Sequence, residues 1–369
     1  MEVKYLDLAK QFKNEEFWIV FREQFETCQF IMGQEVEKFE SNFAKLCQTS
    51  YALGVNSGTD AIFLALKALD IGSGDEVITV PNSFVASAGA IVAAGAIPVF
   101  VDVGPDYNID VDLITSAINK RTKAILPVHL TGNPAEMLKI MEVARENNLY
   151  VIEDAAQAVS ATIKGQPVGS FGDVGCFSLH PLKNLNVCGD GGVITTNSEE
   201  IFTRIRLLRN HGLKNRDEIE YFGYNSRLDT IQAQVANYVM GDLGRIIQKR
   251  QKNALIYNTE LKHLDDFVIL PPQREGVMQV YHTYVILVKK RKALIDYLNK
   301  HGVETKVHYP VPIHLQVPCR KLGYKKNDYP VCEKQVESIL SLPIHQHLTD
   351  DQIYYVTDLI KGFYMKNGA

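Results

Sequence analysis

An α/β fold built on a large, mostly parallel sheet is predicted by two patterns in the chain. Between about residues 50 and 200, short apolar runs alternate with helical stretches. The runs are continuous rather than alternating, as expected of strands covered on both faces. A third observation adds a smaller α/β unit at the C-terminal end. From about residue 246 onward Lys and Arg are denser, as in Gln248–Lys252 and Lys289–Lys292. The expected division near Gly241–Gly244 gives a large domain over 13–245 and a small one over 246–369 joined by 1–12.

In chain order, the strand candidates are Glu76–Val80, Ile97–Val101, Ala124–Val128, Tyr150–Ile152 and Val193–Thr195. Asn56–Ala61 opens a helix that runs to about Leu69. Ser83–Ala94 reads as a buried helix, and Gly95 and Pro98 keep the long uncharged stretch around it from being a membrane span. Asn133-Pro134-Ala135-Glu136 reads as a helix start, with a cap at Asn133 and proline in the first turn. Thr283–Val288 and Lys292–Lys300 supply a strand and an amphipathic helix to the smaller unit.

The 369 residues are 46% hydrophobic, enough for a large core. The net charge of -4 comes without a polybasic block, so nucleic acid is not an expected partner. Six cysteines stand at 28, 47, 176, 188, 319 and 332 without metal-binding or disulfide spacing. Reduced thiols and a cytoplasmic location are expected, with no signal peptide at Met1–Tyr5 and no membrane partner.

The chemistry is carried by a few side chains. Asp154 ends an apolar strand, where ligands collect in open α/β sheets. Gln157 follows three residues later. Lys183 lies in the loop Cys176–Leu185, ahead of the turn Gly189-Asp190-Gly191-Gly192. A loop lysine and a strand-end aspartate are the two groups that a pyridoxal phosphate site needs. The lysine forms a Schiff base, and the aspartate keeps the pyridine nitrogen protonated. Ser57-Gly58-Thr59 at a helix start, with Ser178 near the lysine, can cradle a phosphate. Taken alone, each feature has a plainer reading: a helix cap, a surface lysine or a tight turn. Asp60 reads as a cap residue and nothing more. The glycine spacing matches neither a dinucleotide fingerprint nor a P-loop.

In one order the chain holds Gly54–Ala61, Glu153–Ala158, Phe177–Leu185 and Gly223–Asp229. In that ordered set it resembles the DegT/DnrJ/EryC1/StrS family of sugar aminotransferases, from about Leu6 to the C-terminus. The resemblance implies fold type I, the aspartate aminotransferase-like fold, in a homodimer with sites at the subunit interface. It implies pyridoxal 5′-phosphate bound to Lys183. Asp154 pairs with the ring nitrogen, Gln157 with the ring hydroxyl, and Phe84 stacks on the ring. Gly58, Thr59 and Ser178 hold the phosphate, and Asn225 reaches the phosphate of the neighbouring subunit. The segments Pro127–Pro134 and Val307–His314 match substrate-side regions, which makes His308, Tyr309 and His314 candidates for sugar or nucleotide contact.

The activity so implied is transfer of an amino group from L-glutamate or a similar donor to a keto group of a nucleotide-linked sugar. A cyclitol ketone is a further substrate class within the family. A pyridoxamine-dependent sugar dehydratase is disfavoured, because such members carry histidine where Lys183 stands. A non-catalytic regulatory member is disfavoured by the intact set of cofactor residues. His180-Pro181-Leu182 and Asn186-Val187-Cys188 depart from the common family pattern around the lysine and point to a sub-branch.

Overall fold

The structure, a computed structural model, describes residues 1–13 and 15–367. Its strands are β1 (Tyr51–Val55), β2 (Glu76–Thr79), β3 (Ile97–Phe100), β4 (Thr122–Ile125), β5 (Tyr150–Asp154), β6 (Thr162–Ile163), β7 (Gln166–Pro167), β8 (Val174–Ser178), β9 (Gly192–Thr196), β10 (Val268–Ile269), β11 (Val277–Met278), β12 (Tyr284–Val288) and β13 (Ile339–Leu342). The first six helices are α1 (Glu15–Thr27), α2 (Gln34–Cys47), α3 (Gly58–Ala68), α4 (Ala86–Ala93), α5 (Val111–Ala117) and α6 (Met137–Glu146). The others are α7 (Glu199–Leu208), α8 (Thr230–Leu261), α9 (Arg291–Lys300), α10 (Val317–Arg320), α11 (Pro330–Ser338) and α12 (Asp350–Asn367).

Seven strands form one sheet in the order β1-β9-β8-β5-β4-β2-β3. The run from β3 to β8 is parallel throughout, and β9 alone is antiparallel to both of its neighbours. The continuous apolar runs have the predicted cause, because the sheet is covered on both faces. Successive residues of β8 and β9 point to opposite sides. Cys176 and Ile194 join the core that holds Ile62 and Leu66 of α3 and Ile140 of α6. Phe177 and Val193 join the core that holds Phe39 and Phe43 of α2 and Val239 of α8.

A second sheet, β10-β12-β13, packs with α9 and α12 around Tyr284, Leu294, Ile353 and Ile360. Val3 belongs to the same core and pairs with Val303, so the start of the chain lies on this unit. The expected division at 245/246 falls inside α8, a single unbroken helix. Along that helix Leu243, Ile246 and Ile247 face the large core, whereas Ala254, Tyr257 and Leu261 face the small one.

Three local expectations fail. Helix α6 starts at Met137, not at an Asn133 cap. Asn133 is buried, and its side chain accepts from Arg274, 141 residues away. Helix α4 is shorter than the predicted Ser83–Ala94, and that predicted span is not wholly buried, since Phe84 and Val85 ahead of the helix and Val92 within it are exposed. Asp60 does not cap α3. The cap is Ser57, whose Oγ accepts from the Asp60 N–H at 3.1 Å. All six cysteines are free. Among the described residues no helix is long and apolar enough to cross a membrane, and no group of His, Cys, Asp or Glu is arranged to hold a metal.

Candidate active site

The sheet register brings the site together. Val55, Gly192 and Ser178 stand opposite one another where β1 and β8 end and β9 begins. In the next pair of strands Asp154 lies beside Cys176, two residues before Ser178. The ends of three strands therefore set Ser57-Gly58, Ser178 and Asp154 along one edge of the sheet, and the loop after Ser178 carries Lys183. The approach of α3 to this edge requires glycine. A Cβ on Gly58 would lie 2.7 Å from the Ser178 Cβ. The helix thus begins with free backbone N–H groups beside the Ser178 hydroxyl, an arrangement suited to a phosphate. Thr59 is exposed in that first turn.

Asp154 is only 5% exposed. Ser87 donates to its Oδ2 at 2.7 Å, and the Ala156 N–H donates to its Oδ1 at 3.2 Å. Burial pushes the carboxyl up from its usual range, opposed by the Ser87 hydrogen bond, the Ala156 N–H and the Lys183 charge. Among the described residues no basic side chain forms an ion pair with Asp154. A buried carboxylate so placed calls for a cationic partner, and a protonated ring nitrogen supplies one. Burial also pulls the Lys183 amine down from 10.5 to about 8, with Asp154 pulling the other way.

Gln157 closes one side. Its Oε1 accepts from the Thr131 N–H at 2.7 Å, and its Nε2 donates to the Tyr309 hydroxyl at 3.3 Å. The Tyr309 ring lies 5.9 Å from Phe84, whose own ring is 53% exposed at the start of α4. His308 packs edge-on against Tyr309 and pairs with the Ser341 hydroxyl at 2.9 Å. Burial, with help from the Lys183 charge, lowers His308 to about 4, so it is neutral. The loop of Lys183 is tied to the segment before β12 through Asn184, which donates to the Val280 carbonyl at 2.9 Å.

One sequence-level reading changes here. His314 is not brought to the site. It is fully buried, its Nε2 pairs with Glu333 at 3.0 Å, and its ring rests on Tyr329. Its role is structural. His129, in the other substrate-side segment, is likewise fully buried. Its Nδ1 accepts from the Ala135 N–H, which leaves Nε2 as the donor to Glu153 at 3.0 Å. Glu153 also accepts from the N–H groups of Gly169, Phe171 and Gly172, each at 2.8 Å, and so anchors the segment beside Asp154. Ser87, in the first turn of α4, carried no sequence-level signal of its own. Asn225 is exposed and contributes nothing to the site of its own chain beyond a bridge of its backbone to Asn210.

The fold, the buried strand-end carboxylate and the lysine in the loop after β8 are those of a pyridoxal phosphate-dependent transferase of fold type I. A family model described as the DegT/DnrJ/EryC1/StrS aminotransferase family matches residues 12–361, and the chain belongs to that family. The chain is 40% identical over 368 residues to a "pleiotropic regulatory protein" of Geobacillus stearothermophilus, covering 99% of each. It is 41% identical over 334 residues to a UDP-N-acetyl-3-dehydro-alpha-D-glucosamine 3-aminotransferase of Acidithiobacillus ferrooxidans, covering 90% of this chain and 89% of the other. Among solved structures, DesV of S. venezuelae in complex with a ketimine intermediate superposes with a TM-score of 0.96 at 37% identity, covering 98% of both chains. Solved relatives of the same fold exist in forms with the cofactor as pyridoxal or pyridoxamine phosphate.

Proposed function

We propose that this chain is a homodimeric, cytoplasmic aminotransferase that moves an amino group from L-glutamate to a keto group of a nucleotide-linked sugar. The observation that carries the reading is the buried Asp154, held by Ser87 and without an ion-pair partner among the described residues, at the strand ends that also carry Gly58 and Ser178 and within electrostatic reach of Lys183. Pyridoxal phosphate, when bound, supplies the electron sink that lets an amino group pass between two carbon skeletons. Asp154 would hold the ring nitrogen in its protonated form, and Ser87 keeps that carboxylate oriented. Gly58, Thr59 and Ser178 would receive the phosphate. Phe84 would cover one face of the ring, and Gln157 would bond the ring hydroxyl. An amine near 8 is partly neutral at physiological pH, so Lys183 is able to take a proton from the donor's α-carbon and return it to the acceptor.

His308 and Tyr309 stand on the open side of this group and are proposed to contact the sugar. The sugar class is supported by the names of the relatives. One relative carries a regulatory name, which favours a non-catalytic reading. The complete set of acid–base groups around Lys183 argues for catalysis instead, and a lysine at this position argues against a dehydratase. The dimer is supported by the surface around Asn225, where Ile219, Phe222 and Tyr224 are exposed, Phe222 by 92%.

Running the reaction backwards tests the proposal. With 2-oxoglutarate and a panel of nucleotide-linked amino sugars, glutamate should form with at least one of them. A protein that holds its cofactor yet forms glutamate with none would return the reading to regulation.

A further inference from the structure

Beside Lys183 lies a cavity of about 260 Å³ that shares His308 with the proposed sugar side, but whose other polar wall groups the aminotransferase chemistry above leaves unassigned. Its walls include Tyr5, Leu182, Arg250, His282, Thr283 and Lys306. Arg250, on α8, is 2% exposed. Its terminal nitrogens donate to the carbonyls of Tyr281 and His282 at 3.0 and 3.2 Å and to the side chain of Gln346 at 3.2 Å. All three acceptors are neutral, and among the described residues no carboxylate pairs with it. Buried charges are normally paired, because an isolated ion loses far more hydration than neutral acceptors return.

Three polar atoms of the wall also lack a partner: Arg250 Nε, Thr283 Oγ1 and His282 Nδ1. Arg250 and Thr283 are both more than nine-tenths buried. Orphaned buried groups gathered around one cavity, with an unpaired cation among them, describe a seat for an anion. Lys306 adds a second cation at the rim. The acidic wall residue, Glu304, is exposed, and its Oε2 accepts from the Tyr5 N–H at 2.9 Å.

Size and place narrow the anion. The volume lies below the ~300–1,000 Å³ of sites for drug-sized ligands, which suits a small acid and not a nucleotide-linked sugar. Leu182 puts the cavity next to the Lys183 backbone. The Lys183 charge contributes to lowering both His282 and His308, so the amine and the cavity share one electrostatic environment. We propose that this cavity is a carboxylate subsite that seats an acid group of the amino donor, with Arg250 and Thr283 as donors to its oxygens. The identity of the acid rests on the aminotransferase reading; the existence of the subsite does not.

The test uses glutarate, a dicarboxylate without an amino or keto group, titrated calorimetrically into the cofactor-loaded protein. Glutarate should bind saturably, and inorganic phosphate at least about tenfold more weakly. Thr283→Val removes only an unpartnered hydroxyl, so it should leave the fold intact and weaken glutarate about tenfold, the scale of a hydrogen bond to a charged group. Arg250→Met should weaken it about a hundredfold; if that variant does not fold, Thr283→Val decides alone. Glutarate binding that is absent, or indifferent to Thr283→Val, overturns the subsite. Phosphate binding more tightly than glutarate overturns it in favour of a nucleotide phosphate. If Thr283→Val weakens glutarate but the protein transfers no amino group from any donor, the subsite stands and the reaction assignment falls.

Discussion

At the scale of single residues, the site depends on the buried Asp154 and the half-buried Lys183, each shifted by desolvation and opposed by the other's charge. Because the folded protein lowers the Lys183 amine to about 8 from 10.5, the unfolded chain binds more protons between those values. The contribution of Lys183 to stability therefore improves as pH rises across that window, and its full cost is present below about 8. In cofactor-free protein, Lys183→Ala should melt above wild type at neutral pH, with the gap closing toward pH 10; equal melting curves throughout would contradict the buried-amine picture. Asp154→Asn should leave the fold intact and cut turnover by at least ~10²–10⁴-fold, since an amide cannot hold the ring nitrogen protonated. A loss below about tenfold, ~1.4 kcal/mol, would mean that Asp154 serves only its turn at Ala156. Ser87→Ala removes a 2.7 Å donor to that carboxylate. It should lower kcat roughly 10- to 100-fold, the weight of one hydrogen bond to a charged group. Asp154 and Lys183 were legible because their types and order form a motif. Ser87 was not, because nothing local says which carboxylate a helical serine will meet.

At the scale of elements, the site is made by where strands stop. Gly58→Ala would force α3 away from Ser178, a backbone-supported contact at 2.7 Å that offers little give. The variant should lose affinity for the cofactor phosphate while keeping its helical content, measurable by titrating cofactor into stripped protein. Glu153 binds the 169–172 segment and His129 through four donors, so Glu153→Ala should cost at least ~3 kcal/mol in chemical denaturation, as several buried donors lose their acceptor together. A cost under ~1 kcal/mol would show that solvent replaces it. The strands were legible in the sequence because parallel strands covered on both faces read as unbroken apolar runs. The α6 cap was not. Asn133 has the right type and spacing, but Arg274 claims its side chain from far along the chain. His314 misled in the same way. It sits near prolines, and only packing reveals that Glu333 holds it in the interior. Arg250 carried no motif at all, since its meaning comes from a cavity assembled by the two ends of the chain.

At the scale of the whole molecule, the two cores are joined by one helix, and the site lies where they meet. Segment 280–283 contacts the Lys183 loop through Asn184 and the 131–132 turn through backbone hydrogen bonds. Nothing in the chain's own site uses Asn225, which is exposed among exposed apolar residues. In a two-fold dimer that surface would complete the partner's site. Mixing Lys183→Ala with Asn225→Ala, each inactive alone, under conditions of subunit exchange should restore roughly a quarter of wild-type activity, because half the dimers are mixed and each has one intact site. No recovery despite proven exchange would place Asn225 in its own subunit's chemistry. The central claim, that Lys183 is the residue to which the cofactor is bound, is tested most directly by reducing the purified protein with borohydride and mapping the modified peptide by mass spectrometry. The account predicts a single phosphopyridoxyl group on Lys183, absent from Lys183→Ala. A group on any other lysine, or none on a protein that turns over substrate, would contradict it.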